Sequence, residues 1–179
     1  MNPTLTPVDM REFVRAISCA ATPVTIVTTQ VGDTPWGQTV SAVSRVSDEP
    51  AMLGVCINRR SPLNAAITTA GSFNVSLLGP EHGSAADSFA GRQHLGRPAF
   101  TFLDHEWRAG TNGLPIFGAG VAAFECDVHT VVDAGSHQLY LGAVRHVAHT
   151  DAEPLLHLRG NYRTLAAHAA DTRSKGRPA

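Results

Sequence analysis

Only three cysteines occur in 179 residues, Cys19, Cys56 and Cys126, and no two of them stand close together. An odd number at wide spacing excludes a disulfide framework and a CxxC metal or redox site, and it suits reduced thiols. Long apolar runs are also missing. No stretch reaches the roughly 18 apolar residues that a membrane helix needs. The opening MNPTLTPVDMREFVRAI lacks the continuous apolar core of a secretion signal. Charge of one sign is missing too. The formal net charge is −1 and the pI about 6.7, so no global field attracts nucleic acid or an anionic membrane. These absences predict a cytoplasmic domain with neither as its partner.

Several chemical signatures are absent as well. There is no GxGxxG and no P-loop, which argues against Rossmann and Walker nucleotide sites. There is no GxSxG elbow for a serine hydrolase. Nine histidines are present, yet none belongs to an HxH or HExxH grouping, so no metal site is expected. Cys56 and Cys126 sit among apolar strand residues and read as core.

What remains is the pattern of a folded, mainly β chain. Hydrophobic residues make up 43% and charged residues 16%, which excludes disorder over most of the length. Residues 1–9 read as a flexible arm, 10–166 as one domain and 167–179 as a polar tail. A helical pattern covers Val8 to Ala21, with Asp9 as cap and Met10, Phe13, Val14 and Ile17 on one face. Thr22 to Gln30 is β-branched almost throughout and predicts a strand. Trp36 to Ser47 reads as another. Ala51 to Asn58 is a nearly continuous apolar run, as in a strand covered on both faces.

Arg59 to Gly71 carries the clearest helix signals, with Ser61 as N-cap, Pro62 in the first turn and Gly71 as the stop. Ser72 to Gly79 reads as a strand and Pro80 to Gly91 as a short helix. Arg92 to Asn112 is irregular, with Phe100, Phe102 and Trp107 packing it down. Two long strands, Gly120 to Ala134 and His137 to His149, form a hairpin across a Gly135-Ser136 turn. In the first, Phe124, Cys126 and Val128 alternate with Glu125, Asp127 and His129, so the latter three are expected on the wet face. The fold class is an antiparallel β-barrel with short inserted helices.

Three stretches can carry chemistry. Gly37-Gln38-Thr39-Val40-Ser41-Ala42 is a strand of small and hydroxylic residues. It is either an ordinary wet face or a main chain left open to a flat polar heterocycle. Asn58-Arg59-Arg60-Ser61-Pro62-Leu63-Asn64 delivers a strand to a helix N-terminus beside two guanidiniums. That is either a capped helix with solvated arginines or an anion site of the kind phosphate occupies. Gly135-Ser136-His137 places an imidazole after a turn, either idle or presented to a ligand. Tyr162 in RGNYRTL is its possible companion.

In this order the stretches resemble the short-chain flavin reductase family, the small reductase components of two-component flavin-dependent monooxygenases. The resemblance runs from Met10 to Leu165 through TPVTIVTT, GQTVSAVSRVSDEPAMLGVCINRRSPLNAAI, GSFNVSLL, FAG, GLPIFGAGVAAFECDV, GSHQLYLGAV and PLLHLRGNYRTL. It implies an FMN-binding split barrel and an NAD(P)H:flavin oxidoreductase, with FMN or FAD as flavin and NADH or NADPH as co-substrate. It also implies a homodimer and an oxygenase partner that receives reduced flavin. The strands Ala51–Ile57 and Gly120–Val132 are candidates for the dimer surface.

By the same resemblance, Gly37, Gln38, Thr39, Val40, Ser41 and Ala42 lie along the flavin. Cys56, Asn58, Arg59, Ser61 and Asn64 hold its ribityl and phosphate oxygens. Phe89, Ala90 and Arg92 reach the phosphate end. His137 is the catalytic-centre residue where nicotinamide docks, with Tyr162 beside it. Ser136 stands where relatives commonly carry Asp, so His137 positions the nicotinamide and is neither acid nor base. Rival readings keep the barrel and change the chemistry. One is a non-catalytic flavin- or haem-binding carrier or sensor, another a pyridoxamine-phosphate-oxidase-like enzyme, and a third a reductase with another acceptor.

Overall fold

β-branched residues and alternating apolar positions build the sheet of this chain, seen here in a computed structural model that describes residues 8–93 and 96–166. The tail expected at 167–179, and the arm up to residue 7, lie outside the described residues. Seven strands form the main sheet: β2 (Thr25–Val31), β3 (Thr34–Val40), β4 (Val43–Asp48), β5 (Ala51–Asn58), β6 (Ser72–Leu77), β9 (Ala122–Ala134) and β10 (His137–His149). Their order is β3-β2-β6-β9-β10-β5-β4, and every neighbouring pair is antiparallel. Two small sheets flank it. One is β1 (Thr22–Pro23), β11 (Leu156–Leu158) and β12 (Asn161–Arg163); the other is β7 (Trp107–Ala109) with β8 (Pro115–Phe117).

The two edge strands of the main sheet, β3 and β4, are consecutive in the chain. Only Ser41 and Ala42 separate them, and the Cys56 N–H donates to the Ala42 carbonyl at 3.0 Å. The sheet therefore curls until its ends meet at one corner, which is the split barrel expected from the sequence. The same corner corrects one expectation. Trp36 to Ser47 is not a single strand. Thr34–Val40 pairs with β2 and Val43–Asp48 with β5, so the chain must break to cross from one edge to the other.

The core between the curled faces contains Val27, Val55, Ile57, Ile67, Phe73 and Tyr140, all essentially inaccessible. Fully burying each such side chain contributes about 1.5–3 kcal/mol. Gly142 is required there: a Cβ at that position would lie 2.5 Å from the Phe73 ring and 2.9 Å from Cys126 Cβ. Burial pushes the Cys126 thiol up to about 12, so it is core, as its strand context suggests. Helix α2 (Leu63–Ala70) buries Leu63, Asn64, Ala66 and Ile67 and ends at Gly71, whose φ of 69° is the left-handed cap that glycine takes without strain. Helix α3 (Gly83–Phe89) anchors a second cluster with Ile26, Leu78 and Phe117.

Two further findings depart from the sequence pattern. Glu125, expected on the wet face, is 2% exposed. Burial raises its pKa. Bonds from the Thr111 hydroxyl at 2.6 Å and from the Thr111 and Asn112 N–H groups at 3.0 Å each outweigh that, helped by His146, so the carboxyl sits below its usual range. A loop tip folded onto the strand has turned a surface acid into an anchor. Helix α1 (Met10–Ile17) is capped by Asp9, which accepts from the Arg11 and Glu12 N–H groups, but it buries nothing. Met10, Phe13, Val14 and Ile17 are all more than half exposed.

Candidate functional site

Strand β3 bonds to β2 on one side only. Along its other side every second residue offers unpaired main-chain groups. That free edge lines a cavity of about 610 Å³, within the usual range for small-molecule sites. Thr34, Trp36, Gly37, Gln38 and Thr39 form one wall, Asn58, Arg60, Ser61, Pro62 and Leu63 the wall opposite, and Phe89, Ala90, Phe100 and Phe102 the floor and lip. A Cβ on Gly37 would lie 2.8 Å from the Phe89 ring, so glycine lets α3 close against the strand. The Thr39 hydroxyl donates to the Ala86 carbonyl at 2.6 Å, tying the same two elements.

The facing wall is a strand-to-helix junction built from its own polar groups. Asn58 Oδ1 accepts from the Arg60 N–H at 2.9 Å, and Ser61 Oγ accepts from the Leu63 N–H at 3.2 Å. The Ser61 hydroxyl donates to Gln38 Oε1, which joins the two walls. Asn64 is turned inward. Its Nδ2 donates to the Asn58 and Ser61 carbonyls at 2.8 and 3.1 Å, and its Oδ1 accepts from the Tyr140 hydroxyl at 3.0 Å. It pins the junction from within the core.

The two neighbouring arginines are not equivalent. Arg60 lines the cavity. The Arg59 guanidinium pairs instead with Asp133 at 2.7 Å, and its N–H donates to the Ser136 carbonyl at 3.0 Å. Arg59 thereby joins the cavity wall to the tip of the β9–β10 hairpin. There His137 is the cross-strand partner of Asn58, so both side chains leave the same face of the sheet. Ser136 Oγ lies 2.8 Å from His137 Nδ1. His137 stands beside the cavity wall and not among the residues that enclose the cavity.

Of the residues expected along the ligand, Gly37, Gln38, Thr39, Asn58, Ser61, Phe89 and Ala90 converge on the cavity. Others do not line it. Val40 is buried in the core, and Ser41 and Ala42 are exposed at the corner of the barrel. Cys56 is half-buried along β5 opposite Leu139. Arg92 and Tyr162 both turn to Asp87, whose carboxylate accepts from Arg92 at 2.9 Å and from the Tyr162 hydroxyl at 2.8 Å. Burial, the bond to Asp87 and the charge of Asp87 push the Tyr162 phenol up to about 12. These two residues secure the helix that carries Phe89. Trp36, Phe100 and Phe102 line the cavity outside the stretches expected to carry chemistry, and Arg60 lines it as the second guanidinium of the expected anion stretch. Trp36 had a signal, being a large aromatic next to Gly37 in a strand of small residues.

An edge strand faces a helix N-terminus across a cavity on a split barrel, the arrangement expected of a flavin reductase-like fold. Residues 17–166 match the flavin reductase like domain family, and the chain belongs to it. It is 37% identical over 160 residues to the FMN reductase (NADH) RutF 1 of Methylorubrum extorquens, covering 89% of this chain and 78% of that one. It is 31% identical over 160 residues to the reductase component of a 4-nitrophenol monooxygenase from Rhodococcus opacus, covering 88% and 82%. The flavin reductase PheA2 has the same fold, with a TM-score of 0.82 at 30% identity, covering 89% of this chain and all of that one. The chain is thus an oxidoreductase of the flavin reductase type.

Proposed function

We propose that this chain reduces FMN or FAD with NADH or NADPH and hands the reduced flavin to a monooxygenase. The carrying observation is the free edge of β3 lining a cavity of about 610 Å³ opposite the Asn58–Leu63 junction. When bound there, flavin supplies the hydride acceptor and nicotinamide the donor, and no protein base has to move a proton. The residues fit that division. Main-chain groups of Gly37 to Thr39 meet the edge of a flat ring, while Phe89 and Phe102 supply apolar surface beneath it. Asn58, Ser61 and the start of α2 receive the ribityl and phosphate end.

Arg60 is the guanidinium that faces the cavity, so it takes the phosphate role in place of Arg59. His137, on the same face as Asn58, positions the nicotinamide. Ser136 fixes its Nδ1 side, which leaves Nε2 for the nucleotide. Cys56, Ser41, Ala42, Val40 and Asn64 support this pocket from behind or at its corner, and Tyr162 and Arg92 hold α3 in place through Asp87.

The working form is a homodimer. An eight-residue helix with no buried residue does not persist alone in water, so a second copy covering α1 is the reading that accounts for it. Of the strands considered for that surface, Ala51–Ile57 spends Leu53, Val55 and Ile57 on its own core, while β9 leaves Val131 and Val132 exposed. Among the described residues no helix is long and apolar enough to cross a membrane, and a cytoplasmic location goes with the reading. The similarity to a 4-nitrophenol monooxygenase reductase component supports an oxygenase as recipient.

The test is NADH and NADPH oxidation by the purified chain, followed with FMN, FAD and riboflavin in turn. Catalytic loss of reduced nucleotide that depends on added flavin is expected. Tight flavin retention without turnover would make the chain a carrier. Sedimentation at the mass of one copy would remove the dimer.

A further inference from the structure

Phe100 is a large apolar residue held in a backbone conformation that suits glycine. Its φ is 56°, in the left-handed region that a bulky side chain seldom occupies. The residue is 55% exposed, so burial does not compensate for the conformation. The chain on both sides is tied down. The Phe100 N–H donates to the Ser88 carbonyl at 3.0 Å, the Thr101 N–H to Ser88 Oγ at 3.4 Å, and Ser88 Oγ donates to the Pro98 carbonyl at 2.8 Å. Ser88 itself is completely buried. Gly91 leaves room under the ring, where a Cβ would stand 3.2 Å from Phe100 Cζ.

Two residues on, Phe102 behaves as an ordinary core aromatic. Its ring lies 4.8 Å from that of Phe89 and 4.6 Å from that of Trp107. Among the described residues Phe100 joins no such ring pair, yet it lines the cavity alongside Phe102. A strained backbone that displays an unpaired aromatic face at a cavity lip is an arrangement that stability alone does not favour.

We propose that Phe100 is a stacking platform for a flat heterocycle seated in this cavity, and so a specificity-determining residue of the site. The proposal rests on the flavin reductase reading above. Three rings share the required chemistry: the isoalloxazine of the flavin, the adenine of FAD, and the rings of the pyridine nucleotide.

The full-length chain and its Phe100→Ala, Phe100→Gly and Phe100→Tyr variants test this. Dissociation constants for riboflavin, FMN and FAD come from flavin fluorescence, the KM for NADH from turnover, and melting temperatures from the flavin-free proteins. Phe100→Ala is expected to weaken binding about three- to tenfold, and Phe100→Tyr to restore it. Equal loss for all three flavins identifies isoalloxazine as the stacked ring. Loss for FAD alone identifies adenine, and a raised KM for NADH with unchanged flavin binding identifies the nucleotide.

Phe100→Gly is expected to bind as weakly as Phe100→Ala while melting higher than it, because glycine adopts this φ freely. Unchanged binding constants and KM in Phe100→Ala overturn the proposal. So does a change in sedimentation with binding intact, since the ring would then serve assembly. Phe100→Gly melting below Phe100→Ala removes the strain on which the inference stands. A wild-type chain that binds no flavin and oxidises no NADH overturns the functional reading and takes this proposal with it.

Discussion

Arg59 and Asp133 meet at 2.7 Å at the tip of the long hairpin, and this contact decides which arginine of the NRRS segment is free to meet an anion. Arg60→Ala is expected to raise the dissociation constant for FMN about tenfold, the size of one lost charge-assisted bond, and to leave riboflavin nearly unchanged. Arg59→Ala should affect the two flavins alike, because its guanidinium is already engaged. Fluorescence titration of both ligands against both variants checks this. A phosphate-selective loss in Arg59→Ala alone would return the role to Arg59.

The Ser136–His137 contact at 2.8 Å leads to a second expectation. His137→Ala should raise the KM for NADH about fivefold to tenfold, as for one lost hydrogen bond, with the dissociation constant for flavin unchanged. Ser136→Ala should produce a smaller rise of the same kind, since it frees the imidazole without removing it. Steady-state kinetics at saturating flavin separate the two. Unaltered constants in both variants would show an idle turn.

Tyr162 links the closing strand to α3 through Asp87. Its phenol is pushed from 10 to about 12, so the folded chain holds this proton more tightly than the unfolded one. The resulting stability is complete below pH 10 and is lost as the pH rises through 12. Tyr162→Phe should cost about 1 kcal/mol at neutral pH and flatten the alkaline decline in melting temperature. Thermal melts across alkaline pH provide the measurement.

Glu125 carries the opposite sign. Its carboxyl is held below the ordinary 4.5, so the unfolded chain takes up the proton first as the pH falls. The stabilisation is present above 4.5 and disappears as the pH drops through the lowered folded value. Glu125→Gln should lose about 1–3 kcal/mol at pH 7 and shed part of the acid sensitivity. Urea titrations at neutral and acidic pH test this, and an unchanged midpoint at neutral pH would argue against an anchoring role.

Much of the fold is written locally. Gly135-Ser136 turns the hairpin, the Ser61-Pro62 start and Gly71 stop bound α2, and β-branched Thr25–Val31 makes its strand. Each follows from the conformational preferences of a few adjacent residues. What is not local has another origin. Glu125 alternates like a surface residue, and only the loop at Thr111 and Asn112 reveals its partners. Arg59, Arg92 and Tyr162 have ligand-like chemistry, and only the folded chain shows the carboxylates at Asp133 and Asp87 that pair with them. The pocket's polar wall and Phe89 were legible as motifs, and the rest of its aromatic side was not, because Phe100 and Phe102 look alike until one is seen inside the cluster and the other outside it.

The open edge of β3 has a consequence for handling the protein. A row of unpaired donors and acceptors is also a template for a strand from another molecule. Gly37 leaves that row accessible, and the central part of the strand, Trp36–Thr39, has none of the lysine or proline gatekeepers that deter strand addition. Ligand in the cavity would mask the same groups. Flavin added during purification should therefore suppress aggregation, with the cofactor serving as a chaperone for the strand that binds it.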